Sequence, residues 1–272
     1  MVAKVQGQAA VENFELNEKT AEALREIVQK YRDKVKLPRP DNWKQMSDND
    51  IWLVVTGQVA VVRGSEPADK MGEELRKREN WYKDLLRLAE EKYKEAIYKI
   101  FYEFNIQLRG KTIERCRKTK ALCKNLAFLQ SCGGPRAYIE SIASIEDEQL
   151  RVERVIKDMA YIKNKGARDL LIELGLVQNA IAIDSRIKTL LNHLGENIPD
   201  KFLQSKKRFS ALEKEMLEKV AKPCGITGAH LDRILYQNYD EIERELPSAD
   251  AAKTNYCQKE KADIKGGENE RA

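Results

Sequence analysis

Histidine is almost missing from this sequence, with His193 and His230 the two examples in 272 residues. That nearly excludes histidine-based metal sites and nucleophile–histidine couples. Cysteine is also scarce. The five present (Cys116, Cys123, Cys132, Cys224 and Cys257) are odd in number and widely spaced. They form no disulfide framework, no zinc pattern and no tight four-cysteine cluster of the kind an iron–sulfur centre needs. They read as reduced thiols of an intracellular protein, in the cytoplasm or nucleoid, with no metal and no cofactor implied. No apolar run reaches the roughly 20 residues of a membrane span, and the N-terminus lacks the basic-then-apolar pattern of a signal peptide.

What is present is charge. Asp, Glu, Lys and Arg make up 34% of the chain, against 42% hydrophobic residues. This balance gives a well-solvated surface around enough apolar material for one large core or two smaller ones. The net charge of +5 says little by itself. Its distribution says more: residues 109–124, "RGKTIERCRKTKALCK", hold seven basic residues and one acidic, a local charge of +6. Such a stretch suits phosphate neutralisation, and it suits a solvated helix face equally well.

The apolar spacing is helical almost throughout. "NEKTAEALREIVQKYRDKV" carries Ala21, Leu24, Ile27, Val28 and Tyr31 on one stripe, and "KLPRPDN" breaks it. "SDNDIWLVVTGQVAVVRG" opens with Ser47 as N-cap and Asp50 three residues on, a variant of the capping box. Its body is apolar on nearly all sides and predicts a buried core helix. Residues 72–105 read as one long amphipathic segment with Trp81, Leu85, Leu88, Tyr93, Ile97, Ile100, Phe101 and Phe104 near one stripe. "SCGGPRA" is a loop by its Gly-Gly-Pro. "SIEDEQLRVERVIKDMA" is a polar helix, "KRFSALEKEMLEKVAKPCG" a helix ended by Pro223 and Gly225, and "GAHLDRILYQNYDEIERELP" the last helix. The fold class is all-α, two helical lobes with a cleft between them.

One stretch concentrates chemistry: "YIKNKGARDLLIELGLVQNAIAIDSRI", residues 161–187. A short turn leads into a helix bearing Ala167, Leu170, Leu171 and Leu174, which stops at Gly175. An apolar run over residues 180–183 then leads to Asp184, at the N-cap of a further helix. Lys165 thus starts one helix and Asp184 the next. Two plainer readings stand beside a catalytic pair. An Asp before a helix is a cap worth about 1 kcal/mol, and Lys165 lies four residues from Asp169, the spacing of an ordinary helical ion pair.

These residues resemble the helix-hairpin-helix DNA glycosylase superfamily. Its signature is a hairpin Leu-Pro-Gly-Ile-Gly-x-Lys-x-Ala, followed after a helix by an apolar run ending in a catalytic Asp. Residues 161–167 lie over the hairpin, with Ile162, Lys165 and Ala167 matching. "AIAIDSRI" looks like the element that carries the Asp, and the spacing of 19 residues from Lys165 to Asp184 suits the lysine-bearing, bifunctional members of 8-oxoguanine type. "SDNDIWLVVTGQVAVVRGSEPADKM" and "LDRILYQNYDEI" are similar to the family's early and closing helices. The resemblance divides the chain into an N-terminal helix and linker (1–44), a two-lobed glycosylase region (45–247) and a flexible polar tail (248–272). Both hairpin glycines are replaced, by Tyr161 and Lys163. A phosphate cradle built on glycine backbone is therefore distorted, with Lys163 and Asn164 substituting through their side chains.

By this resemblance Lys165 attacks C1′ of an extruded nucleotide, displaces the base and leaves a Schiff base, while Asp184 steadies the sugar cation. Burial lowers the pKa of such a lysine and a nearby carboxylate raises it, so the two effects oppose each other. Gln58 falls near the position that fills the gap left by the extruded base, and is otherwise a polar residue on a core helix. Arg115, Lys118 and Lys120 are the phosphate-binding candidates. Tyr236, Gln237 and Tyr239 are candidates for the base pocket, or else core aromatics and their neighbour. The partner implied is damaged double-stranded DNA, bound by a monomer, with no membrane. The alternative is a non-catalytic helical DNA- or RNA-binding module whose altered hairpin marks lost catalysis; an α-helical interaction protein ranks third.

Overall fold

The computed structural model describes residues 14–61, 66–106 and 112–246. The tail expected over 248–272, together with Arg109 and Lys111 of the basic segment, lies outside them. Thirteen α-helices follow one another: α1 (Glu18–Tyr31), α2 (Asp48–Ala60), α3 (Glu66–Arg76), α4 (Trp81–Leu86), α5 (Glu90–Glu103), α6 (Arg117–Ser131), α7 (Pro135–Ala143), α8 (Glu148–Asp158), α9 (Asn164–Glu173), α10 (Ser185–His193), α11 (Lys206–Met216), α12 (Gly228–Gln237) and α13 (Tyr239–Glu245). Among the described residues there is no strand, and no helix is long and apolar enough to cross a membrane.

The hydrophobic residues condense into two cores. One contains Trp43 from the turn before α2, and Trp52, Leu85, Phe101, Leu126, Tyr138 and Leu171 from α2 to α9. The other joins Leu24, Val28 and Tyr31 of α1 to Ile187, Leu191, Phe209, Met216, Leu231 and Ile234 of the C-terminal helices. The stripe read on α1 therefore buries itself against the far end of the chain.

Two stretches expected as single helices are broken. Residues 72–105 are divided among three, the end of α3, α4 and α5, because Asn49 of α2 takes over the backbone where the first break falls: its Oδ1 accepts the Tyr82 N–H at 3.0 Å. This turn brings Trp81 and Tyr82 onto the indole of Trp52, with ring centroids 6.0 and 5.9 Å away. The last helix divides at Asn238, whose side-chain amide donates to the Ile234 carbonyl at 3.0 Å. The capping box at α2 forms as read, with Ser47 and Asp50 bonding reciprocally.

Gly175 ends α9 with φ +71°, and a Cβ there would lie 2.1 Å from the Arg39 carbonyl oxygen. Only glycine lets the 39–43 linker lie against this helix end, where Asp41 and Trp43 N–H groups donate to the Gly175 and Leu174 carbonyls, both at 3.0 Å. Residues 177–183 then cross from one core to the other without forming helix or strand. Their amides are taken by carboxylates instead. Glu148 accepts the N–H groups of Gln178 and Asn179, each at 2.8 Å, Glu213 accepts that of Ile181 at 2.9 Å, and Asp232 accepts that of Ala182 at 2.8 Å. Glu213 also receives both Nε and Nη2 of buried Arg168, each at 2.6 Å, tying α9 to α11.

Candidate active site

The turn before α9 keeps a glycine-like shape without glycine. Tyr161 sits at φ +70°, the left-handed region, at a strain of roughly 1–2 kcal/mol. Lys163, the N-cap, is extended at φ −118°, ψ −166°, which any residue adopts. One hairpin position thus holds a left-handed φ with a side chain present, and the other is ordinary extended backbone. Lys163 is exposed, Asn164 is half-buried, and the Asn164 carbonyl accepts from Arg168 Nη1 at 3.2 Å.

Lys165 lies in the first turn of α9, and its Nζ donates to Asp169 Oδ2 at 2.5 Å. The same oxygen accepts from Gln58 Nε2 of α2 at 3.1 Å. Asp169 Oδ1 accepts from Arg233 Nη1 of α12 at 3.1 Å, and Arg233 Nη2 donates to Glu173 at 3.1 Å. Asp232 completes the cluster 3.5 Å from Arg233 Nη1. Burial by itself would lower the Lys165 pKa, but the carboxylate of Asp169, helped by Asp184 and Asp232, outweighs it and holds the amine above its ordinary value. Burial likewise works to raise Asp169, and Lys165 and Arg233 overcome it and keep that carboxyl low. Asp232, deepest of the group, is pushed up to about 7 by burial. Of the two opposed effects read from the sequence, the carboxylates win, and Lys165 rests as a paired ammonium.

Asp184 caps α10. Its Oδ1 accepts the N–H groups of Arg186 and Ile187 at 2.9 and 3.0 Å, and its Oδ2 accepts Arg186 Nε at 3.1 Å. The Arg186 guanidinium in turn lies 4.2 Å from the centroid of the Tyr236 ring. A cavity of about 390 Å³ opens beside this assembly, its wall including Lys36, Asn42, Glu173, Arg233, Tyr236 and Gln237. Arg233 thus joins the Lys165–Asp169 pair to the cavity, and Arg186 joins Asp184 to Tyr236. The Gln237 amide is already engaged, accepting from Lys36 N–H at 3.1 Å and donating to Lys36 O at 2.9 Å, so it pins the linker over the cavity. Tyr239 is buried away from the cavity wall, with its hydroxyl donating to Glu243 at 2.9 Å.

The basic segment needs one correction. Lys118 is 3% exposed, and its Nζ donates to the Ala60 carbonyl at 2.7 Å and to the Val61 carbonyl, closing the C-terminal end of α2. It presents nothing to an external phosphate. Arg115 and Lys120 are exposed, as are Arg117 and Lys124.

Three solved structures share this architecture. The 8-oxoguanine DNA glycosylase of Methanocaldococcus jannaschii superposes with a TM-score of 0.58 at 15% identity, covering 79% of this chain and 91% of that one. The fold is that of a DNA glycosylase. A second structure from the same organism, an 8-oxoguanine glycosylase/lyase in complex with a 15-mer DNA containing 8-oxoguanine, gives 0.55 at 15% identity over 83% and 98%. The 8-oxoguanine DNA glycosylase of Thermotoga maritima gives 0.55 at 16% identity over 80% and 93%. No protein-family model and no curated protein sequence matches the chain. Within this glycosylase fold, sequence reasoning missed Glu173, Asp232 and Arg233. Nothing local marks them, since α12 meets α9 only through tertiary packing; Asp169 alone was signalled, by its spacing from Lys165.

Proposed function

We propose that the protein is a DNA glycosylase with AP-lyase activity, removing a damaged base from duplex DNA through Lys165. The observation that carries this reading is the pair of Lys165 with Asp169, within electrostatic reach of Asp184 and joined to the cavity wall through Arg233. The glycosidic bond is out of reach inside a base stack, so the nucleotide must be extruded. The Lys165 amine then attacks C1′, and the base departs with the electron pair of the C1′–N bond. Ring opening gives a Schiff base, from which β-elimination nicks the strand. Asp184, fixed by two backbone N–H groups and Arg186, stays aimed at the growing positive charge on the sugar.

The attacking amine must be neutral, while the resting one is an ammonium. Adduct formation therefore rises with pH, toward a midpoint above the ordinary lysine value. Gln58 would fill the gap left by the extruded base; its Nε2 is held by Asp169 and its Oε1 is buried without a partner. Lys163, Asn164, Arg115 and Lys120 supply the phosphate contacts, and Tyr236 and Gln237 border the base. The protein acts as a monomer on an oxidised purine such as 8-oxoguanine.

Incubation with duplexes bearing an abasic site or 8-oxoguanine, followed by borohydride, tests the proposal. A covalent adduct is expected from the native protein and none from Lys165→Gln, while Asp184→Asn slows the reaction and leaves DNA affinity nearly intact. The second reading, a non-catalytic DNA- or RNA-binding module, draws on the tight pairing of Lys165 with Asp169. It wins if salt-dependent binding occurs and no adduct forms at any pH.

A further inference from the structure

We propose that Asp232 is a positioning residue for the excision step: through the Ala182 amide it sets where the Asp184 carboxylate stands relative to the Lys165 amine. The inference rests on the glycosylase reading above and goes beyond it, because it assigns work to a carboxylate that the reaction as described does not use.

Asp184 caps α10, and the residues just before it, 180–183, belong to neither helix nor strand. No ladder of backbone bonds sets the position of the cap. Side chains take that part. Ile181 N–H donates to Glu213 at 2.9 Å, and Ile183 N–H turns back onto the Ile181 carbonyl at 2.9 Å. Ala182 N–H, two residues before Asp184, donates to Asp232 Oδ1 at 2.8 Å.

The other oxygen of Asp232 serves a second partner. Oδ2 lies 3.5 Å from Arg233 Nη1, the same nitrogen that donates to Asp169 Oδ1 at 3.1 Å, and Asp169 Oδ2 accepts from Lys165 Nζ at 2.5 Å. A file of alternating charges thus runs from the approach to Asp184 to the counterion of the nucleophile. The side chains of Asp232 and Arg233 are 3% and 8% exposed, so water competes little for their partners. A buried carboxylate is a costly way to satisfy one backbone amide, which a neutral side chain would do as well; the charge is what lets the same group also face Arg233. Glu213 makes a parallel tie to α9, but that one ends at Arg168 and not at the lysine pair.

Asp184 acts on the positive charge that grows on the sugar as the C1′–N bond breaks. Misplacement by about 1 Å at such a centre costs about 100-fold in rate. An abasic site has already lost its base. Its aldehyde condenses with Lys165, releasing water and breaking no glycosidic bond, so cleavage of that duplex depends on the lysine far more than on the place of Asp184.

The test compares single-turnover excision of 8-oxoguanine with cleavage of an abasic duplex, each at saturating protein. Asp232→Ala removes the acceptor of the Ala182 amide and should lower the ratio of the two rates about 100-fold. Asp232→Asn keeps a side-chain oxygen for that amide and should recover most of the ratio. Where the alanine variant does not fold, Asp232→Leu fills the same space without an acceptor. In an Asp184→Asn background, Asp232→Ala should lower the ratio no further, since the two residues act on one contact. Damage to the lysine chemistry moves both rates and leaves their ratio unmoved. A native protein that leaves either duplex intact means that the glycosylase reading itself has failed. Native activity on both, with an unchanged ratio in Asp232→Ala or a full further loss in the Asp184→Asn background, overturns this inference alone.

Discussion

Lys118 and Lys165 begin two different helices, are both largely withdrawn from water, and have pKa values moved in opposite directions. Burial pushes Lys118 down to about 8, against the pull of two carbonyls at the end of α2. Lys165 is raised, because Asp169, Asp184 and Asp232 outweigh burial. Dipoles compensate a buried charge poorly, whereas full charges overcompensate it. A search for an activated lysine by depressed pKa alone would stop at Lys118, an ammonium 3% exposed and committed to a helix end. Access to a cavity and company of opposite charge are the better guide.

The difference is broken most severely at its anion. Asp169→Asn leaves Lys165 and Arg233 without their shared carboxylate, and loss of one partner from a buried ionic group costs about 4 kcal/mol. A large drop in thermal midpoint is expected, together with a shift of the adduct-forming midpoint to lower pH; an unchanged pH midpoint would show that Asp169 does not govern Lys165. Lys118→Met comes next, orphaning the Ala60 and Val61 carbonyls at about 2 kcal/mol, read by chemical denaturation. DNA affinity should not follow, since the residue reaches no solvent.

Alkaline titration separates the two lysines by sign. Lys118 binds its proton less tightly folded than unfolded, so stability rises as pH climbs from about 8 toward the unfolded value of about 10.4. Lys165 binds its proton more tightly when folded, so its contribution persists through that window and fades only as pH passes its raised folded value. Denaturation profiles of native protein and Lys118→Met should diverge over this window, and parallel profiles would refute the depressed value. The smallest effect belongs to Tyr161→Gly. Relief of the left-handed strain is offset by the lost contact of the ring with Lys118, 5.8 Å from its centroid, and by glycine's chain entropy. A gain of no more than about 1 kcal/mol is expected in thermal unfolding; a loss would show that the ring holds the turn.

Much of this was legible in the residues themselves, and for local reasons. The capping box at Ser47, the stop at Gly175 and the cap at Asp184 are decided by neighbours within a few positions, and all three form. The ion pair of Lys165 with Asp169 follows from helical spacing. What escaped is what depends on distant chain. Asn49 interrupts the helix around Tyr82 from 33 residues away. Lys118 looks like any other member of a basic run until the end of α2 arrives above it. Arg233 and Glu173 are 60 residues apart, and their meeting is set by how α12 leans on α9. The irregular run before Asp184 resembles a strand in sequence because its apolar residues serve two cores. Its hydrogen-bonding partners are side chains from α8, α11 and α12, which no periodicity reveals.

That run has a measurable signature. Irregular backbone ordinarily trades its amide protons with deuterated water in seconds, yet the amides of Gln178, Asn179, Ile181 and Ala182 should keep theirs as long as a helix interior does. Acid should release the Ala182 amide first, since burial lifts its acceptor Asp232 to about 7 and a protonated carboxyl is a weaker acceptor. Mild acidification should therefore begin to loosen the seam between the two halves at that one latch.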